Sequence, residues 1–194
     1  MSSINVLNII PKNPITKFTN PFSFEVVFEV LCEIKKEIEW KMVYITSDNQ
    51  KDDQILGEIQ IDPPKQLGQM KFMFDGDAPD IKKIPENDVV GVAAILLCCS
   101  YNNQEFFRCG YYLNISYDNE EMNINMPEKI EINHLVRNLL DKPRIVRFEI
   151  DWEGEGIKDN KNDSTGHFMF NEGKMNQDKF KDMEKDNNNG NNFN

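Results

Sequence analysis

An all-β sandwich is the fold that this 194-residue sequence predicts, and three observations carry the prediction. Apolar and polar residues alternate along short segments, the period of a strand with one buried face. Prolines, asparagines and aspartates punctuate the chain between those segments. Seven or more such segments follow one another, the pattern of two antiparallel sheets packed face to face.

Each element can be read in turn. INVLNII (4–10) alternates until Pro11 and Pro14 break it. FSFEVVFEVLCEI (22–34) sets Phe22, Phe24, Val26 and Phe28 against Ser23, Glu25, Val27 and Glu29. IEWKMVYIT (38–46) closes at SDNQKDDQ, ILGEIQID (55–62) at Pro63 and Pro64, and QMKFMF (69–74) at DGDAPD. VVGVAAILLCCSY (89–101) and QEFFRCGYYLNISY (104–117) form a hairpin, and RIVRFEIDW (144–152) is the last strand. INHLVRNLL (132–140) predicts one short helix. Asn133 would cap it, Leu135, Val136, Leu139 and Leu140 would form its stripe, and Pro143 would follow its end. After Trp152 the chain turns to Asn, Gly, Asp and Lys with little to bury. Residues 1–154 are therefore expected to fold, and residues 155–194 to form a disordered tail.

The formal net charge of −11 and a pI near 4.7 argue against direct binding to nucleic acid, which asks for clustered Lys and Arg. An acidic surface suits a basic partner, or solubility alone. No apolar run approaches the roughly 20 residues that cross a bilayer, so no membrane role is expected. The first residues, MSSINVLNII, lack the basic segment and apolar core of a signal peptide. Cys32, Cys98, Cys99 and Cys109 form no CxxC pair and read as reduced thiols, so the sequons at Asn114 and Asn162 are expected to stay unmodified. His134 and His167 are the only histidines, and no GxSxG, HExxH, P-loop or GxGxxG occurs. Asp75 to Asp77 lacks the spacing of a calcium loop. Neither catalysis nor a metal or cofactor site is expected.

The hairpin carries the functional signal. From Val89 to Cys99 no polar residue occurs, although an antiparallel sandwich covers only one face of a strand. A two-residue loop, Asn102-Asn103, would place Ile95 and Leu97 beside Arg108. A three-residue loop with Asn103 left-handed would pair Ser100 with Gln104 and put Val92, Ala94 and Leu96 on the face of Arg108 and Tyr112. Either register predicts an apolar strip with a polar rim on the sheet surface, the mark of a protein interface. An arginine serving a partner there would be met by water in the free chain, whereas a structural one would need an internal carboxylate.

NPFSFE, EIEWKMVYI, DDQIL, DAPD…IPENDVVGV, GYYLN and KPRIVRFEIDW closely resemble the anti-silencing-function family of histone H3–H4 chaperones, collinearly from about residue 4 to Trp152. The resemblance implies an immunoglobulin-like sandwich that binds an H3–H4 dimer, blocks H3–H3 pairing and hands histones over during nucleosome assembly and disassembly. It implies an H3 face of Ile45, Asp53, Asp88, Val92, Ala94, Leu96, Arg108, Tyr112 and Arg144. It implies that a strand of H4 adds to the last strand of the fold, at Tyr111, Pro143, Arg144, Ile145 and Val146. Short basic motifs of other chaperone complexes would bind a groove at Glu37, Ile59, Ile61 and Phe72. Two positions depart from the family pattern, Ala94 where Val is usual and Lys36 where an acid is frequent. The resemblance further implies a monomer in the nucleus, with a cytoplasmic pool.

Overall fold

Phe22, Phe24, Val26, Phe28 and Val30 all point inward along one strand, and their alternation with half-exposed neighbours builds one wall of the core. The computed structural model describes residues 2–46, 53–140 and 142–154. In chain order these form β1 (Ile4–Pro11), β2 (Ile15–Lys17), β3 (Phe22–Val30), β4 (Ile38–Ile45), β5 (Gln54–Ile61), β6 (Gly68–Gly76), β7 (Gly91–Tyr101), β8 (Gln104–Tyr117), α1 (Glu120–Ile124), β9 (Leu135–Leu139) and β10 (Arg144–Arg147). A three-stranded sheet, ordered β1-β3-β6, faces a larger one ordered β2-β9-β8-β7-β4-β5. β10 leaves that path and pairs with the first half of β8. All neighbouring pairs are antiparallel, and the fold is an all-β sandwich.

Between the sheets lie Phe24, Val26, Trp40, Met42, Tyr44, Ile95, Leu97, Leu113 and Ile115, each almost fully buried. Burying such a side chain contributes about 1.5–3 kcal/mol, which makes this layer the main source of stability. Trp40 joins the layers, edge-on to Phe72 and Phe74 and tilted against Phe107. Gly57 is required where β5 meets β6, because a Cβ there would come within 2.9 Å of the Asp75 carbonyl oxygen.

The β7–β8 hairpin resolves the two registers. Asn102 and Asn103 both adopt positive φ, 52° and 60°, and Tyr101 pairs with Gln104 across a two-residue turn. The twist of such a turn matches that of the strands it joins. One rung later a β-bulge intervenes: Ser100 pairs with Glu105 but Cys99 with Phe107, leaving Phe106 as the extra residue. The bulge reverses the alternation on β8. Val92, Ala94 and Leu96 therefore share a face with Arg108 and Tyr112 as the three-residue loop would have it, although the loop has two residues.

Three expectations need correction. INHLVRNLL is no helix: Ile132–His134 makes a single 3₁₀ turn and Leu135–Leu139 is β9. Leu135, Arg137 and Leu139 point inward, and the arginine at the middle inward position hides the two-residue period. The short helix is instead α1, where the Asn119 side chain accepts from the Glu121 N–H at the first turn. The last predicted strand ends at Arg147 rather than Trp152. Trp152 packs on Tyr101 and Phe106 at ring distances of 5.2 and 5.0 Å, and Asn102 donates to the Gly154 carbonyl, so this segment lies along the hairpin tip. The third strand likewise stops at Val30, where the Leu31 N–H turns to the Ser3 carbonyl. The tail expected over 155–194 lies outside the described residues.

Candidate functional site

Three rungs of the larger sheet turn their side chains away from the core. The first runs Ile45–Ala94–Tyr112 and the second Val43–Leu96–Gly110–Arg144. The third runs Lys41–Cys98–Arg108–Val146. β4, β7, β8 and β10 thus bring Ile45, Ala94, Leu96, Arg108, Tyr112 and Arg144 together on one face. Val92 extends the row one rung beyond Ala94, opposite Asn114. Asp53 immediately precedes β5, and Asp88 ends the 3₁₀ turn Glu86–Asp88 ahead of β7. Both lie toward the end of the sheet where Ile45 and Val92 stand.

The face is not the exposed apolar strip the sequence suggests. Val92 is 50% exposed, but Ala94 and Leu96 are 1% and 6% exposed. The methyl of Ala94 sits between the larger Ile45 and Tyr112 in its rung, and Leu96 follows Val43 in the next.

Arg108 also departs from expectation. It is 7% exposed, and its Nε and Nη2 donate to the two carboxylate oxygens of Glu105 at 2.6 and 2.8 Å. An internal carboxylate, rather than water alone, meets this guanidinium. In a regular strand residues three apart face opposite sides. The bulge at Phe106 turns Glu105 and Arg108 to the same side, which is why the pair was invisible in the sequence. The Arg108 guanidinium also stands 5.6 Å from the ring centre of Phe148. The hydrogen bonds that Arg108 donates to Glu105 raise its pKa above the ordinary value, outweighing burial. Beside it, burial pushes the Cys98 thiol up to about 12, and the Glu105 charge adds to that rise.

The residues expected at the strand edge divide. Arg144, Ile145 and Val146 are exposed and Pro143 is half-buried. Tyr111 stands apart, 3% exposed: its hydroxyl donates to the Ile9 carbonyl at 2.8 Å and its ring lies 5.7 Å from Phe24. It belongs to the core, with burial pushing its pKa up. Phe148 continues the edge, its N–H donating to the Phe106 carbonyl. Arg147 bonds the Val6 carbonyl and lies over Phe107.

Elsewhere, Ile59 and Ile61 pair with Trp40 and Ile38 and so lie on the core-facing side of β5. Phe72, on β6, is edge-on to both Trp40 and Phe28. These three apolar residues flank the seam between two sheet edges, with Glu37 exposed just before β4. Lys36 donates to the Asn102 side chain at 2.6 Å, so its ammonium is drawn toward the hairpin tip.

The larger sheet thus carries a ladder of apolar, aromatic and cationic side chains on one face and a short exposed strand along its margin. The chain belongs to the family described as ASF1 like histone chaperone, which matches residues 1–153. It is 43% identical over 164 residues to histone chaperone asf1 of Drosophila melanogaster, covering 84% of this chain and 75% of that one. To histone chaperone ASF1 of Kluyveromyces lactis it is 45% identical over 159 residues, covering 80% of this chain. The Saccharomyces cerevisiae protein of the same name is 44% identical over 161 residues, or 82% of this chain. The chain spans only 57% of the length of each yeast relative.

Proposed function

We propose that this chain is a histone chaperone that binds an H3–H4 dimer and hands it over in nucleosome assembly and disassembly, without catalysing a reaction. The observation that carries the reading is the convergence of Ile45, Ala94, Leu96, Arg108, Tyr112 and Arg144 on one face of a family member's larger sheet. A helix of H3 would lie across this ladder, denying its surface to a second H3. Val92 would add exposed apolar area, and Asp53 and Asp88 would meet basic histone side chains. A strand of H4 would extend the sheet at β10, meeting Pro143, Arg144, Ile145 and Val146. Short basic motifs from other chaperone complexes would use Glu37, Ile59, Ile61 and Phe72. The net charge of −11 favours such partners over nucleic acid. The protein would act as a nuclear monomer with a cytoplasmic pool.

Size-exclusion chromatography with purified H3–H4 tests this. The expected result is a 1:1:1 complex with no H3–H4 tetramer remaining in it. Separate elution of the chain and the histones would overturn the proposal and leave an adaptor for some other basic peptide.

A further inference from the structure

We propose that Glu105 is a positioning residue that fixes Arg108 for partner binding, and that the β-bulge at Phe106 exists in this hairpin to bring the two together. The inference rests on the face being the histone-binding surface. Without the bulge Glu105 and Arg108 would lie on opposite sides of β8, because they are three residues apart. With it, the carboxylate grips Nε and Nη2 in a two-point fork at 2.6 and 2.8 Å. Such paired, charge-assisted bonds fix the plane of a guanidinium as well as its place. The Phe148 ring lies 5.6 Å from the guanidinium. Cys98 and Val146 flank the arginine in its rung. The side chain of Arg108 is 8% exposed and that of Glu105 23%, so the pair is largely shielded.

An arginine in water samples many rotamers, and ordering it on binding costs part of the interaction it makes. Arg108 has that ordering done in the free protein. An arriving carboxylate or carbonyl therefore meets a cation already oriented, and Glu105 contributes to affinity without touching the partner. Glu105 also sets a selective condition. The pair is neutral as a unit, so a partner gains from Arg108 by geometry more than by bulk charge attraction.

The test uses the full chain, Glu105→Gln, Arg108→Ala and the double variant. In the free protein, nitrogen-15 NMR reads the Arg108 Nε–H. In wild type it is expected to exchange slowly with water, and in Glu105→Gln at least about tenfold faster, since a carboxamide cannot repeat the two-point ionic fork. Calorimetry with an H3–H4 dimer is expected to show Glu105→Gln weaker by about tenfold, and Arg108→Ala to cost far less in that background than in wild type. Unchanged Nε–H exchange in Glu105→Gln, or losses that simply multiply in the double variant, would overturn the proposal. Should Glu105→Gln fail to fold, Glu105→Asp carries the same test, because its shorter carboxylate keeps the charge but not the fork. A wild type that does not bind H3–H4 defeats the functional reading, while the NMR measurement still decides whether Glu105 fixes the arginine.

Discussion

β9 and β10 lie against the same edge of β8, yet they are held in opposite ways. β9 pairs with Leu113–Tyr117 and sends Leu135, Arg137 and Leu139 into the core. β10 pairs with Phe107–Gly110, and all four of its residues are exposed. β9 carries one buried arginine and β10 lies beside another, each near an aromatic ring. The Arg137 guanidinium lies 3.5 Å over Phe22 and donates to the carbonyls of Phe18, Asn20 and Pro21. Arg108, the rung partner of Val146, is gripped by a carboxylate. Burial alone works against the Arg137 charge and lowers its pKa, whereas the carboxylate raises that of Arg108. One arginine closes a loop onto the core; the other is oriented on a surface. The pairing group, and not the degree of burial, sets the direction in which each arginine's pKa moves.

The largest effect that separates them is on stability. Arg137→Ala is expected to cost about 3 kcal/mol, combining a cavity with carbonyls that lose their donors. Arg137→Lys is expected to lose nearly as much, because one ammonium cannot span three carbonyl oxygens and is harder to desolvate. Urea unfolding measures both. An Arg137→Lys protein as stable as wild type would show that the carbonyl clamp does not hold β9.

Proline substitution sharpens the contrast in backbone terms. The Phe148 N–H points to β8, so by alternation those of Arg144 and Val146 do too, while those of Ile145 and Arg147 face the free edge. Val146→Pro is expected to cost about 2 kcal/mol through the broken ladder, and Ile145→Pro well under half of that. β9 lies between β2 and β8 and has no free edge to offer. Thermal melts give the order. Crosslinking of the H4 C-terminus should fall in Ile145→Pro, because its outward N–H is the one an added strand would need. Unchanged crosslinking would remove the H4 edge from the proposal.

How far the sequence could be read depended on whether a side chain advertised its environment. β3 was legible because every second residue is a large hydrophobe. The face proposed for H3 was legible mainly through family resemblance, since Ala94 and Leu96 look like core from composition and are in fact covered. β9 was misread because Arg137 occupies an inward position, where a cation interrupts the apolar alternation. The Glu105–Arg108 pair could not be read at all, because it depends on a bulge that adds one residue to β8. A hint lay in Asn102-Asn103, whose preference for left-handed backbone favours the two-residue turn.

Removing Arg108 is expected to affect the fold less than removing Arg137. Arg108→Ala should cost about 1–2 kcal/mol, because the carboxylate it leaves behind, on Glu105, is 23% exposed and can turn to solvent. Its effect on H3–H4 binding should be larger, at least about 2 kcal/mol, the scale of an interface hot spot. Arg108→Glu would set two carboxylates side by side and is expected to destabilise more than Ala, which makes it the poorer probe of binding. Calorimetry beside a melt separates the two quantities. A loss in stability as large as that of Arg137→Ala would break the distinction between the arginines.

The smallest expected effect is read at a neighbouring thiol. Cys98 stands opposite Arg108, yet its thiol is held up near 12, first by burial and then by the charge of Glu105. Arg108 works the other way and lowers it, but does not prevail. At pH 8 the thiolate fraction of Cys98 is therefore very small, and alkylation should be more than about a hundredfold slower than at exposed Cys32. Glu105→Gln removes a negative neighbour and leaves the cation, so the Cys98 pKa must fall. The expected result is a few-fold faster reaction at Cys98 with no change at Cys32, followed by mass spectrometry of the labelled peptides. Arg108→Ala should shift Cys98 in the reverse direction, toward still slower labelling. Equal rates in all three proteins would mean that Glu105 and Arg108 do not act on the Cys98 thiol of β7, and the close approach of the charged pair to that thiol would be wrong.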